Sequence, residues 1–87
     1  MHEASLIRDL IAKVTTLAAA QGAVRVTRVS VWLGALSHMS PQHFHEHFAT
    51  DARGTIADGA ALDIETSSDI GDPNAEALLL RSIEVET

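Results

Sequence analysis

The sequence contains no cysteine. That one absence removes disulfides, thiolate zinc sites and a cysteine nucleophile together. Aromatic residues are nearly missing too: one tryptophan and two phenylalanines make up 3% of the chain. A core must then be built from Leu, Ile, Val and Ala, within an apolar share of 46%. Positive charge is also scarce, with six Lys and Arg against twelve Asp and Glu and a net charge of −6. This balance argues against nucleic acid or an anionic membrane surface as the main partner. No apolar run approaches the length of a spanning helix, and Met1-His2-Glu3 is unlike the basic start of a signal peptide. A cytoplasmic protein with no membrane and no nucleic-acid partner is the default expectation. Residues 1–87 make one small domain, able to bury roughly 60–65% of its unfolded surface. No internal repeat is present.

What is there falls into five elements. Leu6, Ile7, Leu10, Ile11, Val14, Leu17 and Ala18 recur at three and four residues, an amphipathic helix over 6–20 with Arg8, Asp9 and Lys13 off its apolar face. Gly22 stands where a C-terminal cap belongs. The β-branched run from Val24 predicts a long strand ended by Gly34-Ala35-Leu36-Ser37. Val29, Val31 and Leu33 share one face at period two; Val24, Val26, Arg28, Ser30 and Trp32 fall on the other. Ser40 as N-cap and Pro41 at the first helical position open a second helix, which runs to about Ala52 with Phe44 and Phe48 inward. A turn at Asp58-Gly59 leads into a strand over 61–66, with Leu62 and Ile64 inward. Ser67 to Ala77 is a connector, and a last strand over 78–85 puts Leu79, Ile83 and Val85 on one face by parity. The order helix-strand-helix-strand-strand predicts an α+β fold, a three-stranded sheet with two helices packed on one face.

Chemistry concentrates at two places. His2 puts three nitrogens within chelating reach of one ion: the Met1 amine, the His2 backbone amide and the His2 imidazole. Such a planar set suits Ni(II) or Cu(II) better than tetrahedral Zn(II). Taken alone, a terminal histidine without a role is the commoner reading. A bulky second residue should discourage removal of Met1, so the terminus is expected to be native as written. The second place is a histidine cluster, His38, His43, His45 and His47, on and just before the second helix. His43 and His47, at i and i+4, share a helix face with metal-binding spacing, Glu46 lies between them, and His45 points elsewhere. The cluster is either an auxiliary metal site, one of its members completing the position left open at His2, or a set of solvated helix residues.

Several stretches, in order and spacing, carry a family resemblance: Met1-His2-Glu3-Ala4-Ser5-Leu6, Arg25-Val26-Thr27-Arg28-Val29, Gly34-Ala35-Leu36-Ser37, Gly54-Thr55-Ile56-Ala57-Asp58-Gly59-Ala60 and Arg81-Ser82-Ile83-Glu84-Val85-Glu86. They resemble HypA/HybF, the hydrogenase and urease nickel-incorporation proteins, from Met1 to about Thr66 and again from Leu78. The resemblance implies a nickel metallochaperone that binds Ni(II) through the Met-His-Glu segment. His2 would be the foremost ligand, with main-chain nitrogen from Met1 and Glu3; Ser5 reads as helix-start chemistry. It implies a HypB-type GTPase partner and a [NiFe] hydrogenase large subunit as destination. The family normally inserts a zinc module with two Cys-x-x-Cys pairs between its last two strands. Here only the connector 67–77 occupies that position, so no zinc is expected and this is read as a short, zinc-less form.

Two functions therefore compete: a nickel chaperone that catalyses nothing itself, and a zinc-less scaffold in hydrogenase maturation with no productive metal site. An enzyme is a distant third, since neither a nucleophile–base constellation nor a phosphate-binding loop is visible. Of the remaining singled-out residues, Trp32 reads as sheet packing or a contact within a homodimer, and Arg81 as an edge residue paired with a carboxylate. Asp63, Glu65, Glu84 and Glu86 read as an acidic, solvated strip.

Overall fold

Helix α1 (Glu3–Ala20) forms where the apolar spacing demands it, and Ile7, Leu10, Ile11, Val14 and Ala18 are all buried. The structure, a computed structural model, describes residues 3–87. Leu17, placed on the apolar face by spacing, is 44% exposed. At 100° per residue it lies on the flank of the stripe centred on Ile7, Val14 and Ala18, beside Leu79 and Leu80 rather than under the sheet. The helix ends in a Schellman motif: the Ala23 amide donates to the Ala18 carbonyl at 3.0 Å and the Gly22 amide to Ala19 at 3.1 Å. Gly22 has φ +66°, the left-handed conformation that this cap requires and that glycine adopts without penalty.

Helix α2 (Pro41–Asp51) starts as its sequence signals, one residue shorter at its end than expected because Ala52 serves as the C-cap. The Ser40 hydroxyl accepts from the His43 amide at 3.1 Å, and Pro41 occupies the first turn, where a missing N–H costs no helix bond. Ser40→Ala should therefore destabilise the protein by about 1 kcal/mol, read as a lower urea midpoint with unchanged slope. Ser40→Asp, which preserves the cap, should recover the loss.

The sheet has the order β2-β1-β3. Strand β1 (Arg25–Leu33) is central, parallel to β2 (Ala61–Thr66) and antiparallel to β3 (Leu78–Glu86). Both helices cover one face, and the core joins Ile7, Val14, Val29, Val31, Leu33, Phe44 and Phe48 across it. Among the described residues no helix is long and apolar enough to cross a membrane.

Two bulges overturn the simple parity of the strands. The β1–β3 register slips at Thr27, between the pairs Val26↔Val85 and Arg28↔Glu84. An extra residue on one strand flips what precedes it, so Val26 is buried with Val29 instead of lying outside with Arg28. A second slip falls at Arg81, between Ser30↔Ser82 and Val31↔Leu80. Leu78 and Leu80 therefore pack inward with Ile83 and Val85, while Leu79 is 39% exposed and Arg81 turns outward.

On that outer face the acidic strip is compensated. Arg81 Nη1 lies 2.8 Å from Glu65 Oε1, reaching across β1 from β3 to β2, as its expected pairing with a carboxylate requires. Arg28 meets Glu84 at 3.7 Å and Arg25 meets Glu86 at 3.6 Å. All are exposed pairs, worth about 0–1 kcal/mol each. They match charge across the strands more than they hold the fold together.

The connector 67–77 turns through side-chain caps. Asp69 Oδ1 accepts from the Gly71 amide at 2.9 Å, and Asp72 Oδ1 from the Asn74 amide at 2.7 Å. Its last part then docks on the end of β1, where the Gly34 amide donates to Ala77 at 3.0 Å and the Leu36 amide to Ala75 at 2.7 Å. Ala75 is buried there.

Candidate metal-binding site

Because Phe44 and Phe48 fix the inward stripe of α2, its histidines are sorted by helix geometry. His43 and His47 are half-buried on one flank, a single turn apart. Their rings meet edge to face, with centroids 4.7 Å apart and planes at 70°, as the i, i+4 spacing leads one to expect. His45 is exposed and lines a different cleft with Phe48, Arg53, the turn 58–60 and the start of β2. His38 precedes the helix in a left-handed conformation, φ 60°, and lines a third cleft with Leu6 and Asn74. The four clustered histidines of the sequence thus occupy three places. Among the described residues, no three His, Asp or Glu side chains come together as a metal-holding group.

Met1 and His2, the foremost residues of the expected site, lie outside the described residues. What the structure does give is the place where α1 begins. Ala4 and Arg8 of α1 face Glu46, His47, Thr50 and Asp51 of α2 across a cleft of about 380 Å³. Ala4 and Arg8, near the start of the first helix, therefore lie across from the second half of α2, while Leu6 lines the cleft that holds His38. Sequence periodicity identifies each helix face but says nothing about how two helices are aligned, so Arg8, Thr50 and Asp51 could not be assigned to this place beforehand. The one visible signal was that Glu46, His47, Thr50 and Asp51 form a continuous polar patch at helical spacing.

The cleft wall carries one guanidinium, Arg8, and two carboxylates, Glu46 and Asp51, besides the His47 imidazole. Its formal balance is one negative charge with neutral histidine. Its wall is weakly anionic, but Glu46, His47 and Asp51 do not converge as a metal-holding group. It contains no thiolate, the chain having no cysteine.

Comparison with known proteins bears on the whole chain. The family model described as "Hydrogenase/urease nickel incorporation, metallochaperone, hypA" matches residues 1–71. A hydrogenase maturation factor HypA from Methylocella silvestris is 43% identical over 65 residues, covering 75% of this chain and 58% of the relative. One from Chlorobium limicola is 38% identical over 65 residues, covering 75% and 56%. The chain thus spans a little over half the length of these curated relatives. The solution structure of the Ni metallochaperone HypA from Helicobacter pylori superposes with a TM-score of 0.79 at 23% identity, covering 99% of this chain and 98% of that one. The fold is therefore shared, including the order of two helices and three strands. By the extent of the family match, this chain belongs to the HypA family.

Proposed function

We propose that this chain is a nickel chaperone, binding Ni(II) through the N-terminal Met1-His2-Glu3 segment and passing it on for maturation of a [NiFe] hydrogenase. The observation that carries the reading is the family match itself, which begins at residue 1 and so includes that segment. The relatives' name, hydrogenase maturation factor, favours a hydrogenase over a urease as destination. In this reading the protein works in the cytoplasm, hands its metal to a GTPase partner of the HypB type or to the hydrogenase large subunit, and catalyses nothing. In this reading no zinc is required, since residues 1–87 include no cysteine to form a thiolate site.

The chemistry is capture by the Met1 amine, main-chain amide nitrogen and the His2 imidazole. Amides at the start of a helix have no intrahelical acceptor. Losing such a proton to solvent as the nitrogen binds nickel therefore breaks no helix bond. The donors must lose protons to bind, so binding releases protons and acidification favours release. Delivery is then an exchange of ligands with the receiving protein.

Calorimetry on the chain as written and on a form extended by one residue before Met1 tests this. The extension moves the amine out of the chelate, and nickel affinity should fall by about a hundredfold or more, near 2.8 kcal/mol. Equal affinity in the two forms would remove the terminal site. Weak affinity in both, with partner binding intact, would favour the scaffold reading instead.

A further inference from the structure

We propose that the free edge of β2, with the groove between it and α2, accepts an extended segment of a partner protein as a fourth strand, one that alternates basic residues with short apolar ones. This surface is separate from the metal chemistry above, and its occupation needs no metal ion.

The Ser67 amide donates to the Leu33 carbonyl at 3.0 Å, at the end of the parallel β1–β2 ladder. In such a ladder alternate residues turn both N–H and C=O toward the same neighbour. Ala61, Asp63 and Glu65 therefore face β1 as Ser67 does, and Leu62, Ile64 and Thr66 turn their backbone groups outward. No strand lies on that side, and no turn or loop bond among the described residues takes these groups up. The register of β1 with β2 is unbroken from Ala61 to Thr66, so the outward row is regular. The other edge strand, β3, is less suited, because its bulge at Arg81 interrupts the corresponding row.

Beside the β2 edge lies a groove of about 430 Å³, lined by Phe48, Ala49 and Ala52 of α2 and by Leu62. Its two formal charges, Arg53 and Asp58, cancel, and Asp58 already accepts from the Gly54 amide at 3.1 Å. An added strand would point every second side chain to this side of the sheet, where short apolar groups match the lining.

The intervening side chains would fall on the opposite face, beside Asp63 and Glu65, both exposed. Glu65 is paired with Arg81 at 2.8 Å, whereas Asp63 makes no ion pair among the described residues. Opposite charges across a ladder attract and like charges repel. A basic residue is thus favoured there. A second copy of this chain is disfavoured, since pairing β2 with itself would set carboxylates of the two copies against one another. The net charge of −6 acts in the same direction at longer range.

The probe is a labelled synthetic hexapeptide alternating lysine and valine, blocked at both ends, titrated into the native protein. Fluorescence anisotropy reads affinity, and amide hydrogen exchange reads the place. Binding should saturate and should slow exchange at Leu62, Ile64 and Thr66, with no change in β3. Glutamate in place of the peptide's lysines, or Asp63→Lys in the protein, should weaken binding about tenfold. N-methylation of the peptide amides along one edge should weaken it about fivefold or more. Ala49→Leu should weaken it too by filling the groove, without loss of helix, since leucine is a strong helix former. Glu76→Lys makes the same change of charge on the connector and should alter affinity by no more than about twofold. An equal loss in Glu76→Lys and Asp63→Lys would show diffuse attraction and overturn the proposal. So would undiminished binding of the N-methylated peptide, or no saturable binding at millimolar peptide. Protection of the same three amides in the protein alone, rising with its concentration, would give the edge to a second copy and overturn it as well.

Discussion

Phe44→Ala is expected to destabilise the protein by about 3–5 kcal/mol. The side chain is 0% exposed and packs on Phe48, itself 2% exposed, with ring centroids 5.8 Å apart and planes at 39°. These are the only two phenylalanines in the chain. Together they carry α2 onto a core otherwise made of small aliphatic groups, which cannot expand to fill a void of that size. A domain of this length has a total stability of roughly 4–13 kcal/mol, so the loss is a large fraction of the whole. In urea, the unfolding midpoint should fall sharply with the slope unchanged, followed through the fluorescence of Trp32. His45→Ala, on the exposed side of the same helix, should stay within about 0.5 kcal/mol of the native protein. A Phe44 variant that matched it would mean that α2 is not docked as described.

Gly34→Ala should cost about 2–3 kcal/mol, at the upper end of the range for overpacking. An added Cβ would lie 2.2 Å from the Ala75 carbonyl oxygen and 2.6 Å from that of Asn74. Both are backbone atoms, so no flexible side chain can yield. The connector would have to lift off β1, weakening the bonds from the Gly34 amide to Ala77 and from the Leu36 amide to Ala75. The damage should be local. Amide hydrogen exchange at residues 34 and 36 should accelerate far more than at Val29 or Val14, which lie in the sheet and helix core. Uniform acceleration across the molecule would instead indicate global destabilisation and overturn this account of the connector.

The elements of this fold were largely legible in the sequence because each carries its own signals. The spacing of Ile7, Leu10, Val14 and Ala18, the Ser40-Pro41 start and Gly22 at the cap are all local statements that the structure repeats. The errors came where the deciding fact belongs to a partner. Nothing in Arg25-Val26-Thr27-Arg28 reveals that Thr27 is the extra residue opposite Glu84, yet that pairing puts Val26 in the core. The same applies to Leu79, Leu80 and Arg81, whose faces are set by a slip against Ser30 and Val31. At the site, the i, i+4 pairing of His43 and His47 could be read directly. Which of them lines the cleft beside Ala4 could not, because it depends on how the start of α1 is aligned along α2.

The strand order has a consequence for what the chain can accommodate. Thr66 and Leu78 both pair with Leu33, one on each side of it. The two chain ends at the junction are thus separated only by the width of one intervening strand, about 10 Å, which three extended residues could span. Residues 74–77 clamp the return end against Gly34 and the Ser67 amide donates to the Leu33 carbonyl at 3.0 Å, while the stretch between carries local turns. Closing a loop between fixed ends becomes harder by only about 0.6 kcal/mol for each doubling of its length. The sheet therefore behaves as a socket with a free slot: a short turn or an entire folded module could occupy 68–73 without altering the register of a single strand.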